Sequence, residues 1–109
     1  MKYNTKDSGK RIKYKSGFQR DTSDEKPRYD LIPHEMITRL AELYARGAIK
    51  YNDNNWKIAT GEKEINRFKE SAFRHFIQWF RGDEDEDHAS AVMFNINGFE
   101  WHKKYKKKT

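Results

Sequence analysis

Apolar residues recur at helical spacing in three stretches of the chain, and strand-like alternation is weak throughout. In "HEMITRLAELYARGAIKY", Met36, Ile37, Leu40, Leu43, Tyr44, Gly47 and Ala48 fall on one stripe. With Pro33 suited to a first turn, this predicts a core-facing helix over roughly 33 to 50. The turn residues of "NDNNW" end it, and Trp56 is placed to anchor the loop on the core. In "KEINRFKESAFRHFIQWF" the stripe is Phe68, Ala72, Phe73, Phe76, Trp79 and Phe80, which predicts a second helix over roughly 63 to 81. Gly82 is placed to stop it. A third helix starts near Asp85 to Asp87, where negative charge suits a helix N-terminus, and runs to about Lys103. Its stripe is Ala89, Val92, Met93, Ile96 and Phe99. The predicted fold class is all-α, a small bundle of three main helices.

Before these helices no apolar period is visible, and Lys, Ser, Thr, Asp and Gly dominate up to about Lys26. That pattern predicts an irregular basic N-terminal arm, flexible over residues 1–16, then a single all-α domain over 17–102 and a basic tail over 103–109. The part of the arm that carries Phe18, Tyr29, Leu31 and Ile32 is suited to lie across the domain.

Composition sharpens this picture in two ways. Only 35% of residues are apolar while 15% are aromatic, so the core must be thin and built from rings, each of which removes a large area from water. Such a core favours burial of some rings against a second subunit, hence a homo-oligomer. The formal charge of +6 is also uneven: both ends are basic and the body over 29–101 is acidic. Basic ends can bind nucleic acid or steer an anionic ligand, but no DNA- or RNA-reading motif stands behind them, and a nucleic acid is the less favoured partner. With no cysteine, any metal must be held by carboxylates, histidines and amides. No apolar run approaches the length of a membrane span and no signal peptide is visible, so a cytoplasmic protein without a membrane partner is expected.

The chemistry concentrates near "RGDEDEDHASAVMFNING". On the third helix His88, Asn95 and His102 recur at spacing seven, with only Ala91 and Gly98 between them on that line. Such a line either leaves room for a ligand or lets another helix pack closely. The five acids from Asp83 to Asp87 serve a helix dipole or a metal ion, and five in succession exceed what a dipole needs. The turn at Gly82 makes an antiparallel hairpin of the second and third helices. That places Asp87 and His88 on the side of His75, and somewhat farther from Glu70. Asp87, His88 and Glu70 are the candidate metal ligands, suited to hard ions such as Mg²⁺ or Mn²⁺. The rival for Glu70 is an exposed pair with Arg74, and the rival for Asp83 to Glu86 is a solvated turn.

The blocks "GFQRDTSDEKPRYDLIP", "LAELYARGAIKYNDNNW" and "SAFRHFIQWFRGDEDEDHASAVMFNINGFE" resemble the phage-associated dATP/dGTP diphosphohydrolase N-terminal domain family, related to the MazG-like nucleotide pyrophosphohydrolases. The resemblance spans roughly residues 17 to 101. It implies an all-α fold, a purine deoxynucleoside triphosphate as substrate, Mg²⁺ or Mn²⁺ as cofactor, release of pyrophosphate, an oligomer, and the host cell cytoplasm. MazG-like enzymes hold metal with paired acids, ExxE then ExxD. Here Glu70 is followed by Phe73, and Asp87 and His88 by Asn95.

On this reading His75 and Glu70 are catalytic, with His75 orienting a ligand or the water. Arg28, Lys50 and Arg74 bind the phosphates, Tyr51 or Trp56 stacks on the base, and Asn55 or Asn95 reads its edge or the sugar. Each has a plain rival role: Lys50 as a helix C-terminal cation, Trp56 as a core anchor. Two alternatives remain open, a non-catalytic protein that sequesters a nucleotide and a nucleic-acid accessory protein acting through its basic ends.

Overall fold

A computed structural model describes residues 4–22 and 25–105. The chain divides into two compact units, 1–32 and 33–109.

In the first unit, two three-residue strands, β1 (Arg11–Lys13) and β2 (Gln19–Asp21), pair antiparallel with Arg11 opposite Asp21 and Ile12 opposite Arg20. The irregular arm expected here is therefore partly a hairpin. It escaped the hydrophobic pattern because its ladder rests on polar pairs: Arg11 bridges Asp7 and Asp21 at 2.7 and 2.8 Å. Tyr14 N–H donates to the Phe18 carbonyl at 2.8 Å, and Gly17 closes the turn with φ +91°, a backbone region that glycine occupies without strain. A 3-10 turn over Tyr29–Leu31 ends the unit.

The second unit is an all-α bundle: α1 (His34–Tyr51), α2 (Gly61–Phe80) and α3 (His88–Tyr105), with a 3-10 turn over Asn55–Ile58 after α1. Helix α2 begins two residues before the predicted start because Glu64 reaches back to accept the Thr60 N–H at 3.0 Å, satisfying one of the orphan donors of the helix end. Helix α3 begins at His88 with Asp87 as its cap: the Asp87 carboxylate accepts the Ser90 N–H, and the Ser90 hydroxyl donates back to the Asp87 carbonyl, both at 3.2 Å.

Helices α2 and α3 form the main interface of the bundle. The residues that α3 buries are His88, Ser90, Ala91, Asn95, Gly98 and His102, which makes the small and polar line the centre of the interface rather than its border. Its predicted stripe is only partly covered, and Ile96 is exposed. Close approach explains this. A Cβ on Gly98 would stand 2.5 Å from the ring of Phe68, so the two helices meet where α3 has no side chain. Helix α2 correspondingly turns Ile65, Phe68, Ala72, His75 and Gln78 inward. Phe73, Phe76, Trp79 and Phe80, expected in the core, are exposed, Phe73 by 69% and Phe80 by 75%.

Candidate functional site

Two polar features lie along the α2–α3 line. The first is a cavity of about 810 Å³ lined by all three helices and the loop after α1. Tyr44, Trp56 and Phe94 give it aromatic walls, with Tyr44 and Phe94 centroids 4.9 Å apart and Tyr44 and Trp56 edge-to-face at 6.0 Å. Amides crowd its loop side: Asn52, Asn54 and Asn55 all line it, and Asn52 and Asn54 hold positive φ of 80° and 60°. Asn54, at φ 60° and ψ 22°, is in the left-handed region, which asparagine tolerates better than most side-chain-bearing residues. The loop is tied down from α3, where the His102 ring bonds the Trp56 carbonyl at 2.8 Å.

From α3 the buried Asn95 lines the cavity while its Nδ2 donates to the Ala91 carbonyl at 2.8 Å. Arg67 and Ser71 line it from α2.

The second feature is a histidine pair with surrounding carboxylates. His88, 2% exposed, stands two turns before Asn95 on α3, about 10 Å along the helix axis. Its Nδ1 lies 2.8 Å from Nδ1 of His75, and its Nε2 lies 2.8 Å from an oxygen of Asp85. The Asp85 carboxylate can only accept, so in the neutral ring Nε2 carries the proton and Nδ1 presents a lone pair to His75. The His75 proton then sits on Nδ1, and its Nε2 lone pair makes no hydrogen bond to the described residues. Burial, and after it the nearby Arg74 cation, pushes the His75 pKa below the ordinary histidine value. The hydrogen bond from His88 lowers Asp85 below the usual carboxylate range, and that from Arg81 does the same for Asp83.

Two ligand groups converge here, each within 4.8 Å: His75 with Glu86 and His88, and Asp83 with Asp85 and His88. These mixed nitrogen and oxygen donors suit Mn²⁺ well and Mg²⁺ less well, since Mg²⁺ demands an oxygen octahedron.

Of the candidate ligands drawn from sequence, only His88 stands in these groups. Glu70 is exposed and pairs with Arg67 at 3.0 Å, three residues away, rather than with Arg74. Asp87 is committed to capping α3 and to Arg39, whose Nε donates to it at 2.8 Å; that guanidinium holds the Asp87 carboxyl well below the usual range. Tyr51, Asn55, Trp56 and Asn95 all line the cavity. Lys50 and Arg74 do not: Lys50 lies over the Tyr51 ring at 5.0 Å, and Arg74 is exposed on α2. Arg28 belongs to the first unit and binds Asp30 through two hydrogen bonds of 2.9 and 2.7 Å.

Sequence reasoning missed Asp85, whose signal was its place three residues before His88, and Tyr44, which reads as ordinary core from its helical spacing. Trp56 is both anchor and wall, packing on Trp101 at 5.3 Å while it lines the cavity.

Residues 16–109 match the family described as dATP/dGTP diphosphohydrolase, N-terminal. The chain belongs to this family. Comparison with curated proteins and with solved structures gives no match. The family match takes in the cavity, the histidine pair and the acidic turn, and leaves β1 outside. Its description carries diphosphohydrolase activity on dATP and dGTP.

Proposed function

We propose that the chain hydrolyses purine deoxynucleoside triphosphates to the monophosphate and pyrophosphate. The observation that carries this reading is the alignment, on one pair of helices, of an aromatic and amide-lined cavity with a buried histidine pair about two turns away. A purine fits walls of this kind: Tyr51 or Trp56 stacks on the base, and Asn55 and Asn95 bond its edge or the sugar.

The triphosphate is then directed toward the acidic turn. Asp83 to Asp87 would repel it, so this reading requires a divalent cation. Asp83, Asp85 and Glu86 are the residues that would hold Mn²⁺ or Mg²⁺, which when bound neutralises phosphate oxygens and lowers the pKa of water; His88, expected as a ligand, already has both ring nitrogens engaged by His75 and Asp85. His75 orients the attacking water and accepts its proton at Nε2, while Asp85 and His88 fix the ring's tautomer. Arg67, on the cavity wall, offsets charge on the phosphates. The reading includes self-association through the exposed apolar face of α2.

Calorimetry with a nonhydrolysable dGTP analogue and Mn²⁺ tests the assignment of the cavity. Tyr51→Ala and Asn55→Ala, both at exposed positions, weaken binding several-fold, whereas His75→Ala leaves the affinity unchanged and lowers turnover. Unaltered affinity in both cavity variants would reject the assignment.

A second reading, a nucleotide-sequestering protein without chemistry, is favoured by one observation: Glu70 points to solvent, so α2 brings no carboxylate to either ligand group. It predicts that the nucleotide is recovered intact and that chelation leaves the affinity unchanged.

A further inference from the structure

The hairpin of the first unit supplies no residue to the cavity lining or to the ligand groups, and half of it lies outside the family match. Residues facing each other across an antiparallel pair share a face, and the face alternates along each strand. Ile12 opposes Arg20, and Tyr14 bonds Phe18 one step nearer the turn, so Ile12, Tyr14, Phe18 and Arg20 lie on one face. The rings of Tyr14 and Phe18 sit 5.6 Å apart and tilted by 37°, with 50% and 55% of each residue exposed.

The charge of the hairpin is one-sided. Residues 4–22 carry six Lys or Arg and two Asp, a net +4. Both aspartates are taken up by Arg11. Lys6, Lys13, Lys15 and Arg20 are exposed and form no ion pair among the described residues.

We propose that this hairpin is a single-stranded nucleic-acid contact, in which bases stack on the Tyr14 and Phe18 rings, Arg20 on the same face engages a flanking phosphate, and the long side chains of Lys13 and Lys15, based on the opposite face, hold the strand's phosphates where it passes the hairpin edge. An open pair of rings on a hairpin whose Lys13, Lys15 and Arg20 form no ion pair among the described residues is the composition such strands need, because every base offers a π-face and every linkage a charge. A second copy of the chain is a poor occupant of the same face, since two hairpins of net +4 repel each other. A membrane surface is a weaker fit, because Ile12 is the one aliphatic side chain on that face. The inference stands apart from the proposed hydrolysis, since it draws on none of the residues that reading uses.

The test is fluorescence anisotropy of a labelled dT12 oligonucleotide with the full chain at about 25 to 200 mM NaCl, the range over which phosphate neutralisation shows in the affinity. The chain binds, and the logarithm of affinity falls against the logarithm of salt with a slope of about −2 or steeper. The double variant Tyr14→Ala/Phe18→Ala lowers affinity about tenfold or more. Lys13→Gln/Lys15→Gln/Arg20→Gln flattens the slope by about 2, as expected when three phosphates of a single strand are no longer neutralised. Neither variant alters the helical circular dichroism or the turnover of dGTP. Binding equal to the unaltered chain in both variants, which would leave the strand to the C-terminal lysines, overturns the proposal. So does equal affinity for a duplex of the same length, or tighter binding to phosphatidylserine vesicles than to dT12.

Discussion

His75 sits where a proton is disfavoured, since burial and the Arg74 cation both oppose its charged form. Its folded pKa lies below the unfolded value of about 6.5, so between those two values the unfolded chain binds more protons. Stability is therefore present above about pH 6.5 and declines as the pH falls toward the folded pKa. Thermal melts of the metal-free protein from pH 8 to 5 show this decline, and His75→Asn flattens it. In turnover, His75→Ala lowers kcat by about 10²- to 10⁴-fold, the usual loss when a positioned proton acceptor is removed. A loss no larger than that of an exposed control such as Arg46→Ala contradicts the role assigned to Nε2.

Asp87 behaves in the opposite sense. Its carboxyl is held down by Arg39 and by the Ser90 N–H, so its contribution is present above about pH 4 and is lost only as the pH drops through its depressed folded value. Asp87→Asn keeps an acceptor for the cap but loses the ion pair, and it lowers the melting temperature at pH 7 by clearly more than near pH 2. Equal destabilisation at both values would show that the capping geometry, not the charge, is what matters.

At the scale of elements, the α2–α3 interface is set by what α3 lacks. Gly98→Ala must push against the buried Phe68 ring, which costs about 1–3 kcal/mol and outweighs the gain in helix propensity of about 1 kcal/mol. Gly47 on α1 has nothing within 4 Å of an added Cβ, so Gly47→Ala gains stability by up to about 1 kcal/mol. Urea unfolding of the two variants should give shifts of opposite sign.

The same interface separates what is legible in the sequence from what is not. The three helices, the line from His88 to His102 and the loop amides of the cavity are legible, because periodicity and turn chemistry are local. The direction of α2 is not. Its apolar residues are too many for one face, and only the approach of Phe68 to Gly98 decides which of them turn inward. The polar hairpin leaves no apolar period to read. The ligand set fails for a similar reason: residue type and spacing select Asp87 and Glu70, while their cations, Arg39 and Arg67, are settled by tertiary placement in one case and by a three-residue step in the other.

At the scale of the whole molecule, no helix among the described residues is long and apolar enough to cross a membrane, yet Phe73, Phe76, Ile77, Trp79 and Phe80 stand exposed on α2. The proposed self-association covers them. Sedimentation of the unaltered chain then gives a mass above the 13.2 kDa monomer, and Phe73→Ser/Phe80→Ser, at two largely exposed positions, returns it to the monomer with the helices intact. A monomeric unaltered chain would assign that face to another partner.

The proposed hydrolysis rests on the family and on the paired cavity and histidine cluster. Its most direct measurement is chromatography of the products after dATP, dGTP, dCTP and dTTP are each incubated with the protein and Mn²⁺ or Mg²⁺. The expected products are dAMP and dGMP with pyrophosphate, abolished by chelation. Intact triphosphates under every condition, or diphosphates with inorganic phosphate, would contradict the proposed hydrolysis.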